Sequence, residues 1–130
     1  MKDELTFGSF MREKRLESDP HISLRKFAEL VDISAVYMSN IENDRIVAPP
    51  KNILEKFAEI LNFDKQEQNQ MYDLAAKSKP HTAVPDDLPE YITSSEYACV
   101  ALRMARDMDA TDEEWIEFMD KLKKRGKEGK

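Results

Sequence analysis

The sequence predicts an all-α protein, and three observations carry that expectation. Glycine is scarce, with 3 in 130 residues, while Leu, Ala, Glu, Lys and Met are plentiful. These are good helix formers and glycine is a poor one. Apolar residues recur at helical spacing in five successive segments and then in two more, separated by breaks rich in Asp, Ser, Asn and Pro.

The segments follow in order. Leu5 to Glu17 reads as a first helix, with Phe7, Phe10 and Met11 directed inward and Leu16 a further candidate. Asp19-Pro20-His21 breaks it. Leu24, Phe27, Ala28 and Val31 then fall on one face of a second helix. Ala28 is small, so a crossing helix can approach closely there. Asp32 stands at a tight break that calls for positive φ, which Asp tolerates better than most residues. Ile33 is apolar and should plug the turn, and Ser34 is a good N-cap for a third helix. Met38 and Ile41 face inward on that helix. Ala35, Tyr37, Ser39, Asn40 and Asn43 face outward, and the spacing leaves Val36 open. Val47-Ala48-Pro49-Pro50 reads as a loop whose second proline suits the first turn of the next helix. Asn52 to Asn62 has a broad inner face of Ile53, Leu54, Phe57, Ala58, Ile60 and Leu61. A fifth helix runs from Asp64 to about Lys77, with Met71, Leu74 and Ala75 inward.

Residues 78–93 include SKPHTAVPDDLP and read as a linker, because proline is dense and its neighbours are polar. Two amphipathic helices follow in residues 94–130. Ser94 or Ser95 caps the first, which carries Tyr97, Val100, Ala101, Met104 and Met108 on one stripe. Asp109-Ala110 is a break. Thr111 and Glu114 form a capping box for the last helix, whose apolar face is Trp115, Phe118, Met119 and Leu122. Lys121, Lys123, Lys124 and Arg125 suit its C-terminal end. Gly126 to Lys130 is expected to fray.

Residues Ile22 to Arg45, ISLRKFAELVDISAVYMSNIENDR, hold the most specific pattern. Two short helices joined by a capped polar turn are the design of a helix-turn-helix, which lays its second helix in the major groove. From about Phe7 to Ala76 the chain resembles the Xre/Cro/lambda-repressor-like helix-turn-helix DNA-binding domain. Ser23, Phe27-Ala28, Ile33-Ser34, Met38-Ser39 and Ile41-Glu42 carry the resemblance. Three positions depart from the family pattern. Asp32 and Asp44 stand where the family usually or often has glycine. Leu24 stands where many members have a backbone-contacting glutamine.

The resemblance implies a five-helix DNA-binding domain over residues 1–77. It also implies that Ala35, Val36, Tyr37 and Asn40 reach base edges. Asn40 is the best hydrogen-bonding candidate, since its amide can pair bidentately with adenine. Ala35 and Val36 offer apolar contact. Tyr37 either touches the sugar-phosphate backbone or packs against the first helix. Leu24 cannot grip a phosphate, so that role falls to Ser23, Arg25, Ser34, Asn43 and Arg45. Ser23 and Ser34 stand near helix N-termini, which favour anions. Arg15 and Glu42 match family positions that often pair. The expected partner is double-stranded DNA, and the expected role is a transcriptional regulator, such as a repressor of a mobile element or of its own operon.

Charge tempers this reading. The formal net charge is −6, whereas phosphate neutralisation supplies much of the affinity of DNA binders. Arg12, Lys14, Arg15, Arg25, Lys26, Arg45 and Lys51 nevertheless cluster in or beside the motif. Residues 94–130 are expected to supply a homodimer interface built on Tyr97, Val100, Met104, Met108, Trp115, Phe118, Met119 and Leu122. An intramolecular hairpin is the simpler outcome. An antitoxin- or immunity-type regulator that holds a protein partner through this tail is a rival. So is a helical interaction module that binds no DNA.

Enzymatic function is not expected. His21 and His81 lie at separate proline-flanked breaks, no His/Cys spacing suits a metal, and no glycine-rich phosphate loop is present. No cofactor or metal is implied. Cys99 reads as a buried structural thiol. No run of ~18 apolar residues suggests a membrane span, and the N-terminal residues lack a signal-peptide core. A soluble cytoplasmic protein is the expectation.

Overall fold

The computed structural model describes residues 4–128. They form eight α-helices and no strand: α1 (Phe7–Glu17), α2 (Leu24–Val31), α3 (Ala35–Glu42), α4 (Lys51–Ile60), α5 (Lys65–Lys77), α6 (Pro89–Thr93), α7 (Glu96–Asp107) and α8 (Asp112–Glu128). The chain divides into two compact units, Met1–Pro89 and Glu90–Lys130.

The first unit closes around one apolar core. Phe10, Met11, Phe27, Val31, Met38, Ile41, Leu54, Phe57 and Met71 are almost completely removed from solvent. Phe57 of α4 sits between two rings, 5.2 Å from Phe27 and 6.4 Å from Phe7. Phe63 closes the far side, edge-on to Phe10 at 5.7 Å. Offset and edge-to-face rings contribute beyond their buried area. Through this core α1 packs on α3 and α5, α2 packs on α3 and α4, and α4 packs on α5.

Side chains start these helices. Thr6 and Ser9 form a capping box for α1, and Asp64 and Glu67 form one for α5. The Asp64 backbone N–H and the Lys14 ammonium, 2.9 Å away, together hold the Glu67 carboxyl below its usual range. The same hydrogen bond raises the Lys14 ammonium above its ordinary value. This pair fastens α1 to α5.

Helix ends show what a glycine-poor chain does instead. Four non-glycine residues have left-handed φ: Asp32 (64°), Asp44 (59°), Asn62 (56°) and Asp109 (58°). Each ends a helix through the same pair of hydrogen bonds. At the first, Ile33 N–H donates to Ala28 O at 2.9 Å and Asp32 N–H to Glu29 O at 3.1 Å. This is the Schellman arrangement, which usually takes glycine. Short polar side chains tolerate the left-handed region best after glycine, and here they fill every such position among the described residues.

Several sequence expectations change. Pro50 is the N-cap of α4 and lies one residue before its first turn. The buried face of α4 narrows to Leu54 and Phe57, with Ile53, Ala58, Ile60 and Leu61 half-buried at the edge of the core. Leu16 lies on the exposed side of α1. The prolines of 78–93 do not keep the whole stretch irregular, because Pro89 opens the short α6, where proline's fixed φ suits a first helical residue. Gly126 to Glu128 continue α8, while residues 129–130 lie outside the described residues.

In the second unit, Ser95 caps α7, and Thr111 and Glu114 exchange the two capping-box hydrogen bonds at 2.9 and 3.2 Å. Cys99 is half-buried, not buried as expected, and its thiol donates to Ile92 O at 3.5 Å. Neighbouring side chains are too few to enclose it. No described residue of this unit is buried. Among the described residues, no helix is long and apolar enough to cross a membrane.

Candidate nucleic-acid interface

The α2–turn–α3 segment is held from below and presented from above. Phe27, Ala28 and Val31 of α2 and Met38 and Ile41 of α3 enter the core. Ile33 packs against that core from the turn. Ser34 Oγ accepts from Tyr37 N–H at 3.0 Å and Ser23 Oγ from Lys26 N–H at 3.1 Å, so each serine starts a helix. Asp32 turns the chain between them. An α3 fixed in this way keeps its outer face in one orientation.

That outer face carries the four residues assigned to base contact. Val36 is the most exposed of them, at 71 %, which resolves its ambiguous spacing. Ala35, Tyr37 and Asn40 are half-buried. Tyr37 packs against the core, so only part of its surface is open. Asn40 is engaged by Arg45, whose Nη1 donates to Asn40 Oδ1 at 3.4 Å. This weak contact couples a base-contact candidate to a phosphate candidate, and no local spacing signals it.

The phosphate candidates divide. Arg25 is exposed on the first turn of α2. Ser23 and Ser34 use their oxygens as acceptors for caps, which leaves the hydroxyl hydrogens to donate. Asn43 turns back on its own helix, with Nδ2 donating to Ser39 O at 2.8 Å. Its amide therefore serves α3 first.

The basic cluster is narrower than a count suggests. Arg15 is buried against Glu42, with Nε and Nη2 donating to the two carboxylate oxygens at 2.7 and 2.9 Å. Its Nη1 donates to Ile22 O at 2.8 Å. Lys14 pairs with Glu67 as described above. Lys26 lies 3.4 Å from Glu29, both exposed, a pairing that stabilises little. Arg12, Arg25 and Arg45 are exposed.

A second brace was not legible in the sequence. Asp44, just past α3, accepts from the Thr6 hydroxyl at 2.6 Å and from Gly8 N–H at 3.0 Å. Its carboxylate thereby caps α1 from the end of α3, where an anion suits the helix N-terminus. The sequence distance of 36–38 residues hides the contact. Asp32 has the same backbone conformation, and its side chain is exposed. Replacing each by glycine should separate the two roles. Asp32→Gly is expected to change stability by less than about 1 kcal/mol, since relief of left-handed strain offsets the added freedom of the unfolded chain. Asp44→Gly is expected to lose about 1–2 kcal/mol through its two hydrogen bonds. Urea unfolding of both variants measures the difference.

The residues assigned to the C-terminal interface are all exposed. Tyr97, Val100 and Met104 lie on α7, Met108 caps its C-terminal end, and Trp115, Phe118, Met119 and Leu122 lie on α8. Trp115 and Phe118 meet edge-on at 6.5 Å.

No protein-family model matches the chain, and neither a curated protein nor a solved structure matches it. Among the described residues, no group of His, Cys, Asp and Glu is placed to hold a metal ion.

Proposed function

We propose that this chain is a sequence-specific binder of double-stranded DNA that regulates transcription, with a lambda-repressor-like helix-turn-helix in residues 1–77. The observation that carries the reading is the turn itself. Two short helices are joined by three residues, with Asp32 left-handed, Ile33 packed inward and Ser34 capping α3. The same turn leaves Val36 prominent at the start of α3. In this reading α3 lies in the major groove. Asn40 addresses a base, Val36 and Ala35 meet thymine methyls, and Arg25 with the Ser23 and Ser34 hydroxyls contacts phosphates. Arg45 releases Asn40 and turns to the backbone as DNA docks.

The few polar groups on α3 and the acidic chain give this binding a definite character. Affinity is moderate and falls with salt, with a shallow slope because few phosphates are neutralised. Much of the discrimination comes from DNA shape. Fluorescence anisotropy on duplex DNA from upstream of its own gene tests the proposal. Asn40→Ala should lose about 1–3 kcal/mol on the preferred site and relax choice at one base pair. Arg25→Ala should weaken all sequences alike and reduce the salt slope by about 1. Absence of salt-dependent binding would remove the proposal, and a uniform loss for Asn40→Ala would remove that residue's role.

A further inference from the structure

We infer that α8 pairs antiparallel with α8 of a second copy of this chain, about a two-fold axis between Phe118 and Met119. Every described side chain from Thr111 to Gly126 is exposed. Trp115, Phe118, Met119 and Leu122 nevertheless form one apolar stripe, each 39–53 % exposed. An exposed helix of this length is marginal in water unless its apolar face is covered.

The charges on α8 identify what covers it. The first half carries Asp112, Glu113, Glu114 and Glu117, and the second half carries Lys121, Lys123, Lys124 and Arg125. With a turn of about 100° per residue, Glu114, Lys121 and Arg125 flank the stripe on one side. Asp112 and Lys123 flank it on the other. In an antiparallel two-fold pair each flank faces its own copy. The register is set by the stripe: Trp115 meets the second copy's Leu122, and Phe118 meets its Met119. In that same register Glu114 falls between Lys121 and Arg125 of the second copy, and Asp112 falls beside its Lys123. The two-fold axis repeats each contact. A parallel pair would instead bring Glu114 to Asp112 and Lys121 to Lys123, like against like. One apolar register thus satisfies both charged flanks, which is self-complementarity of the isologous kind.

The inference concerns the chain without DNA and does not rest on the proposed function. The test uses the full chain in sedimentation equilibrium, without DNA. The wild-type protein should be a dimer at micromolar concentration. Glu114→Lys leaves three cations on one flank and also gives up the Thr111 N–H cap of α8, while the double variant Lys121→Glu with Arg125→Glu keeps that cap and leaves three anions. Each alone should dimerise at least about tenfold more weakly. Mixed in equal amounts, the two variants should recover the dimer, because every contact is again between opposite charges. A wild-type monomer at ~100 μM, wild-type-like dimers from either charge variant, or a mixture that stays monomeric would each overturn the pairing. A monomer would instead leave α8 to another protein or to packing within its own chain.

Discussion

Glu42→Ala is expected to lower the stability of the first unit by about 3–5 kcal/mol, the cost of stranding one member of a buried ion pair. The Glu42 side chain is 3 % exposed and the Arg15 side chain 8 %. Two guanidinium donors at 2.7 and 2.9 Å would lose their acceptors together. Only the hydrogen bond to Ile22 O would remain. A domain's whole stability is about 5–15 kcal/mol, so this one change removes a large share. Replacing both residues by apolar ones of similar size, as in Arg15→Met with Glu42→Leu, should cost much less, because no charge is left in the interior. Urea unfolding followed by circular dichroism measures both. A loss below 1 kcal/mol for Glu42→Ala would mean that water reaches Arg15 in the variant. The pair joins α1 to α3, so its loss should also loosen the helix assigned to the major groove.

Gly8→Ala is expected to cost about 1–3 kcal/mol, although alanine is the better helix former. A Cβ at Gly8 would stand 2.5 Å from Ile41 O, 2.7 Å from Glu42 O and 2.6 Å from Asp44 Oδ1. Two of these are backbone oxygens at the end of α3 and cannot move without the helix. Helix propensity favours the substitution by up to about 1 kcal/mol, and overpacking of this kind opposes it by about 1–3 kcal/mol or more. The hydrogen bond from Gly8 N–H to Asp44 would also be stretched. Steric crowding therefore wins. Gly126 gives the opposite case in the same chain. It lies on exposed α8 with nothing within 4 Å of a new Cβ, so Gly126→Ala should leave stability unchanged or slightly higher. Thermal unfolding of the two variants side by side checks the contrast. If Gly8→Ala melts with the wild type, α1 and α3 do not sit as closely as these distances require.

Both predictions concern the same junction, and it was unevenly legible. Arg15 and Glu42 were expected to pair from the family resemblance, and the geometry shows a bidentate bond between them. Gly8 and Asp44 gave no sequence signal. Asp44 stood only as a departure from a glycine pattern, and Gly8 looked like one helix residue among others. Their roles depend on two chain segments meeting at van der Waals distance, which no local spacing encodes. The candidate interface divides in the same way. Ser23, Asp32 and Ser34 were readable because capping and left-handed turns depend on near neighbours. The contact of Arg45 with Asn40 and the inward turn of Asn43 are not readable locally, whereas Tyr37 has two outcomes open in the sequence and the fold packs part of it against the core.

Every helix but α6, most helix limits, the turn at Asp32 and the inward residues of α1, α2 and α3 are legible in the order of the residues. These follow from periodicity, caps and backbone preference, all of which act within a few residues. Tertiary structure alone decided how much of α4 is buried, which cations remain exposed beside α3, and how α1 locks against the end of α3. Those outcomes are set by neighbours distant in the chain, since burial and charge pairing depend on what arrives across the core.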